Sequence, residues 1–319
     1  MRTIKQVMRR ESGMSLVELM VSMTILMIVS GVVMSGIFGL TRINQTTSNR
    51  AEMHSGVRNA TELIQQEVGQ AGRLTLPANV TVTGAVGLSG AAQTVNVSSA
   101  TSMFTGEKLV IGTGDLEETV TLTNVNPDTP SITGIFTKAH AAGESVTVRG
   151  GFSSGIVPPG GTGSSGSLLK IVGDIHGTGE LVYVEYWCDI AAATAANPGR
   201  LYRNSMAWNR ALPKPAPTVD QILVQNVLPN PIDPNSGQPT PCFTYLTKVV
   251  NGKTYVVGVA VTLTVQTQGR DNVTGDFQTE TKALLNVSPR NVFNVWEMAS
   301  LDITNRVQDL PGATQALIP

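Results

Sequence analysis

Glu18 is the only ionisable side chain between Ser15 and Thr41. A lone carboxylate in an apolar span is costly, so such a residue is by default a functional hypothesis. Removed from water, it calls for a cationic or hydrogen-bonding partner. The other chemistry-bearing residues are sparse. Cys188 and Cys242 are too few for a cysteine-rich zinc site. In an oxidising compartment they can pair. Closing that loop would stabilise the fold by about 4 kcal/mol in the chain-entropy model; two buried free thiols are the alternative. His54, His140 and His176 lie far apart in polar stretches, the first on a helix and the others in expected turns. No Ser-His-Asp order, HExxH, P-loop or paired-carboxylate motif stands out, and no catalytic residue, metal site or cofactor is assigned. Asp271 to Asp276 and Asp233 to Gly237 carry oxygen ligands that could hold Ca²⁺ weakly, although Asx-Gly clusters usually make hairpin turns. Gly161 to Gly166 fits GxGxxG, but it follows Pro158-Pro159-Gly160 rather than a strand, and no helix is expected after it.

Glu18 sits in the most distinctive segment. Arg2, Lys5, Arg9 and Arg10 precede it, and an apolar run from Leu19 to Phe38 follows. As a helix, that run with its flanks spans a bilayer core of about 30 Å. The basic flank keeps the N-terminus cytoplasmic and exports the rest. A secretory signal peptide fits less well, because its apolar stretch is about 7–15 residues and ends in a small-residue cleavage site. A plain signal anchor leaves Glu18 unexplained.

The stretch Arg9-Arg10-Glu11-Ser12-Gly13-Met14-Ser15-Leu16-Val17-Glu18-Leu19-Met20 resembles the class III signal of type IV prepilins and type II secretion pseudopilins. The resemblance implies cleavage by prepilin peptidase after Gly13 and methylation of the new Met14 amine. It also implies that Glu18, at the fifth mature position, pairs with the Met14 amine of a neighbouring subunit and so selects and registers it. Met14 departs from the commoner Phe. The span also lacks the proline that many pilins carry midway. Gly31, Gly36 and Gly39 could weaken the helix there, by about 1 kcal/mol each relative to Ala, or could allow close helix packing. Loss of a leader at 1–13 removes four basic residues and Glu11, leaving a mildly acidic mature chain.

The positioning elements follow. Met53, Val57, Ala60, Ile64, Val68 and Ala71 recur at helical spacing, and Gly72-Arg73 reads as a helix end. A continuous helix from about 14 to 72 is expected, roughly 90 Å long. From Leu74 to Gly150, short β-branched runs broken by Gly, Asn and Pro read as strands. These runs include Val80–Thr83, Thr94–Val97, Lys108–Ile111, Glu118–Leu122 and Ser145–Val148. This part resembles small β modules inserted in secreted and phage-tail proteins, either as a binding module or as a structural addition. Eleven of the fifteen aromatic residues lie in 167–300, which puts the larger core there. Strands are expected at Leu181–Trp187, Arg200–Arg203, Gln221–Val227, Tyr255–Gln266 and Phe277–Val287. Glu62 to Arg73, then Gly199 to Arg203, Ile222 to Val227 and the closing Ser288-Pro289-Arg290-Asn291 resemble W-type minor pilins and J-type pseudopilins.

The expected fold is α+β: a long N-terminal helix, half transmembrane and half amphipathic, packed on an antiparallel β-sheet head with an inserted all-β module. The expected segments are a leader (1–13), a transmembrane and assembly helix (14–40), an amphipathic helix (41–73), a β-rich insert (74–150) and the head (151–319). The resemblance implies a non-enzymatic W-type minor pilin that primes assembly or caps the tip of a type IV pilus. The J-type pseudopilin and a tip adhesin acting through 74–150 remain alternatives. Expected partners are prepilin peptidase, other pilins and the inner membrane. The net charge of −1 argues against nucleic acid, which needs a basic surface.

Overall fold

The computed structural model describes residues 13–319 with the exception of Val273, and the side chains of residues 284–286 also lie outside the description. The expected leader therefore lies outside it too, apart from Gly13. Helix α1 (Leu16–Gln70) is one unbroken element of 55 residues, about 82 Å long at 1.5 Å per residue. Gly31, Gly36 and Gly39 all lie within it, and a Cβ on any of them would meet nothing within 4 Å. Here they neither break the helix nor receive a neighbour. The helix ends where Ala71 becomes extended and Gly72 takes φ +77°.

Two small sheets follow. Their strands are β1 (Val80–Thr81), β2 (Ala92–Asn96), β3 (Lys108–Ile111), β4 (Glu118–Thr121), β5 (Asn124–Asn126), β6 (Ser131–Ile135) and β7 (Ser145–Thr147). The strand orders are β1-β7-β3-β4 and β2-β6-β5. Val82, Leu109, Ile111, Val120, Ile132 and Phe136 are among the residues of a hydrophobic cluster confined to this region.

The large sheet comes next in the chain. After β8 (Gly151–Phe152) come β9 (Leu168–Gly173), β10 (Val182–Asp189), β11 (Gly199–Ala207), β12 (Ile222–Leu228), β13 (Phe243–Val250), β14 (Lys253–Gln266) and β15 (Thr279–Val287). They are followed by α2 (Arg290–Ser300), β16 (Val307–Gln308) and α3 (Gly312–Leu317). The pairings within the large sheet are all antiparallel, in the order β13-β14-β12-β11-β10-β9, with β15 also on β14. β14 serves two layers: Val256, Val259, Val261, Leu263 and Val265 join the α1 cluster, while Tyr255 and Val257 join the α2 cluster, and a bulge in the pairing with β13, between Leu246 and Thr247, lies where the face changes. The α1 face that packs on the sheet is Val57, Ala60, Ile64, Val68 and Ala71, the face its periodicity marks. Each fully buried Val or Ile there is worth about 1.5–3 kcal/mol, enough to hold the second half of α1 on the head.

Some elements lie outside the sequence expectation. β6 carries Gly134 where Val120 and the Thr121 backbone leave no room for a Cβ. β13 and β14 are joined by Asn251-Gly252, both at positive φ, the residues a two-residue hairpin turn demands. Neither α2 nor β9 is among the expected elements. The GxGxxG stretch leads into strand β9 rather than into a helix. Asp271 to Asp276 form part of the connection between β14 and β15, where the Gly275 N–H donates to Asp271 O at 2.8 Å.

Candidate functional site

Gly13, Met14 and Ser15 precede the first turn of α1. The Ser15 N–H donates to Glu18 Oε2 at 3.3 Å, so the carboxylate covers one of the orphan donors of the helix start. It otherwise stands exposed among Leu16, Val17, Leu19 and Met20. A carboxylate has several acceptor positions, so Glu18 retains capacity for an amine brought from elsewhere.

Nothing in the head covers this half of α1. Every large apolar residue from Met14 to Ile43 is exposed, and the segment is apolar enough to cross a membrane. Three of its hydroxyls bond the helix's own backbone: Thr24, Thr41 and Thr47 donate to the carbonyls of Met20, Ile37 and Ile43 at 2.8, 2.9 and 3.0 Å. This arrangement suits an apolar surrounding, where unsatisfied polar groups cost several kcal/mol. An exposed apolar surface of this extent marks a membrane or protein contact.

The lower half of α1 is fixed by a buried charge. Glu67 is 4% exposed. Arg203 of β11 reaches Glu67 Oε1 through Nε at 3.0 Å and Nη2 at 2.5 Å, and the Tyr186 hydroxyl of β10 donates to Oε2 at 2.5 Å. Burial works against the guanidinium charge of Arg203, but the bonds and charge of Glu67 outweigh it and hold the group above its ordinary value. Burial, followed by the charge of Glu67, raises the Tyr186 phenol. Sequence reasoning missed this anchor. Its signal was an acidic residue at a core-facing position, between Ile64 and Ala71 on the apolar stripe.

At the far end of α1, backbones meet without side chains between them. A Cβ on Gly151 or Gly155 would strike the Gly72 backbone. The Gly72 N–H donates to Val172 O at 2.8 Å, and the Phe152 N–H donates to Gly72 O at 3.0 Å. Cys188 on β10 and Cys242, just before β13, form a disulfide with Cα atoms 6.5 Å apart. Both are buried in the α1–sheet cluster.

The 80–147 region has its own polar centre. His140, which the sequence placed in a polar turn, is buried with Nε2 2.7 Å from Glu118 Oε1 and Nδ1 2.7 Å from Glu144 Oε2. Burial opposes the charge on Glu118, but bonds from Thr137, His140 and Lys138 outweigh it and hold the carboxyl below its usual range. The region is clamped to the head by Glu117, which takes Arg306 at 2.8 Å and Arg149 at 2.7 Å. Gln308 adds a paired amide contact with the Lys108 backbone at 2.9 and 2.7 Å.

Residues 8–34 match the family model for the prokaryotic N-terminal methylation motif. The match ends inside the bare half of α1 and takes in Gly13, Met14 and Glu18. It supports a chain of the type IV pilin and pseudopilin class, a class of structural subunits, with a membrane-anchoring N-terminal helix and an exported head. No curated protein matches the chain significantly.

Proposed function

We propose that the chain is a minor pilin of the W type, incorporated into a type IV pilus where it primes assembly or caps the tip. The observation that carries this reading is the methylation motif lying on a helix whose apolar half the head leaves bare. Prepilin peptidase cuts between Gly13 and Met14 and methylates the new amine. Glu18 then pairs with the Met14 amine of an adjacent subunit, because a charge entering lipid or a fibre core needs a partner. The assembly helix is 14–40, the amphipathic helix 41–73, the insert 74–150 and the head 151–319. A signal of this kind is also expected of a J-type pseudopilin, and loss of twitching against loss of enzyme secretion on deletion separates the two. A Gly13→Ala chain should accumulate at precursor size in the inner membrane. Product of mature size on a blot would remove the processing step from this reading.

A further inference from the structure

The large sheet splits beneath α1. β12 pairs with β14 only at Val227 and Leu228, while its register with β11 runs on to Ile222. Below Val227 the two strands part, and Asn226 turns out of line at φ +57°. α1 crosses this fork with Asn49, Glu52 and Gly56, and a Cβ on Gly56 would meet nothing within 4 Å. The cavity between them is about 250 Å³, below the roughly 300–1,000 Å³ of small-molecule sites. It has room for one side chain.

The lining is rich in acceptors. Glu52 is the one charged residue in it, and among the described residues Glu52 has no ion-pair partner. The nearest arginines of α1 are engaged elsewhere: Arg50 donates to Gln278 and Arg58 pairs with Glu62. Gln266 forms part of the wall and is 4% exposed. Its Nε2 donates to Ala195 O at 2.8 Å, which fixes the amide, and its Oε1 is buried with no hydrogen-bond partner. A desolvated acceptor without a donor is expensive, and a carboxylate beside a polar cavity selects donors that carry positive charge.

We propose that the fork receives one cationic side chain, guanidinium or ammonium, from a neighbouring subunit. The subunit as source rests on the assembly reading above: the fork lies where α1 enters the head, beside the bare surface through which neighbours would pack. The test titrates the full chain in detergent with Nα-acetyl-arginine amide, and with the neutral, equally shaped citrulline amide as control. Arginine amide should bind at least about tenfold more tightly, which is about 1.4 kcal/mol. Glu52→Gln should erase that preference, and Gly56→Leu, which fills open space, should block both probes. Equal binding of the two probes, no saturable binding, or binding untouched by both variants would overturn the proposal. A polyamine that binds tenfold more tightly than arginine amide would overturn the subunit as source. Both variants lie far from Gly13, so precursor processing, read on the same samples, reports separately on the pilin reading.

Discussion

Glu107 is the residue whose charge state the fold controls most directly. It is fully buried beside β3, where its Oε2 accepts the Phe104 N–H at 3.2 Å and its Oε1 has no partner among the described residues. Burial pushes the carboxyl up to about 8, with the Phe104 N–H offsetting part of the rise. The unfolded chain loses this proton near the ordinary value of 4.5. Between those two values the folded state holds a proton that the unfolded state has released, so stability falls as pH rises through that window and then levels off. Each pH unit within it costs about 1.4 kcal/mol. Glu107→Gln stays neutral throughout and keeps an acceptor for the Phe104 N–H. Denaturant unfolding should show the variant within about 1 kcal/mol of the parent at pH 5 and more stable by about 2 kcal/mol or more at pH 9. Parallel stability–pH curves for the two chains would mean that Glu107 is already ionised in the folded state.

At the scale of elements, α1 is held to the sheet by an apolar stripe with one ion pair set into it. Removing one partner of a buried pair leaves the other charge uncompensated, at about 3–5 kcal/mol, whereas replacing the whole cluster with apolar groups is often neutral. Glu67→Leu should therefore cost about 3–5 kcal/mol. The triple change Glu67→Leu, Arg203→Met and Tyr186→Phe should recover most of it in urea unfolding. No recovery would mean that the cluster provides packing that apolar side chains cannot reproduce. The stripe itself was legible because helical spacing exposes a single face, and β14 was legible as a long β-branched run. Other features were hidden for identifiable reasons. The partner of Glu67 lies 136 residues away, so only the break in the stripe was visible. Glu118, His140 and Glu144 meet through loop closure, which no local pattern encodes. Two misses did leave a signal. Asn251-Gly252 marks a hairpin, and Val292, Val295 and Ala299 recur at helical spacing on what proved to be the buried face of α2.

At the scale of the molecule, the 74–150 excursion leaves and returns at one place. Arg73 and Gly151 are bridge partners, so the chain departs from the end of α1 and comes back beside it. The α1–sheet cluster takes no residue from 74–150. The head's main core therefore does not depend on the excursion. The junction does: Phe104 packs with Phe152, Trp208 and Leu310, and Gln308 is fully buried against the backbone of Lys108. Removing 74–150 and joining Arg73 to Gly151 by a short Gly-Ser link should thus leave a folded head with the Cys188–Cys242 disulfide, at lower stability because an apolar patch and a buried amide lose their partners. If the excursion is a tip adhesin module, fibres carrying the shortened chain should still form and should lose surface attachment. The measurements are a thiol count on denatured, unreduced protein, sheared-fibre yield, and attachment of cells. Free thiols in the shortened chain would show that the head needs the excursion in order to fold. Unchanged attachment on normal fibres would leave 74–150 as a structural addition, fastened to the head by Glu117 and Gln308.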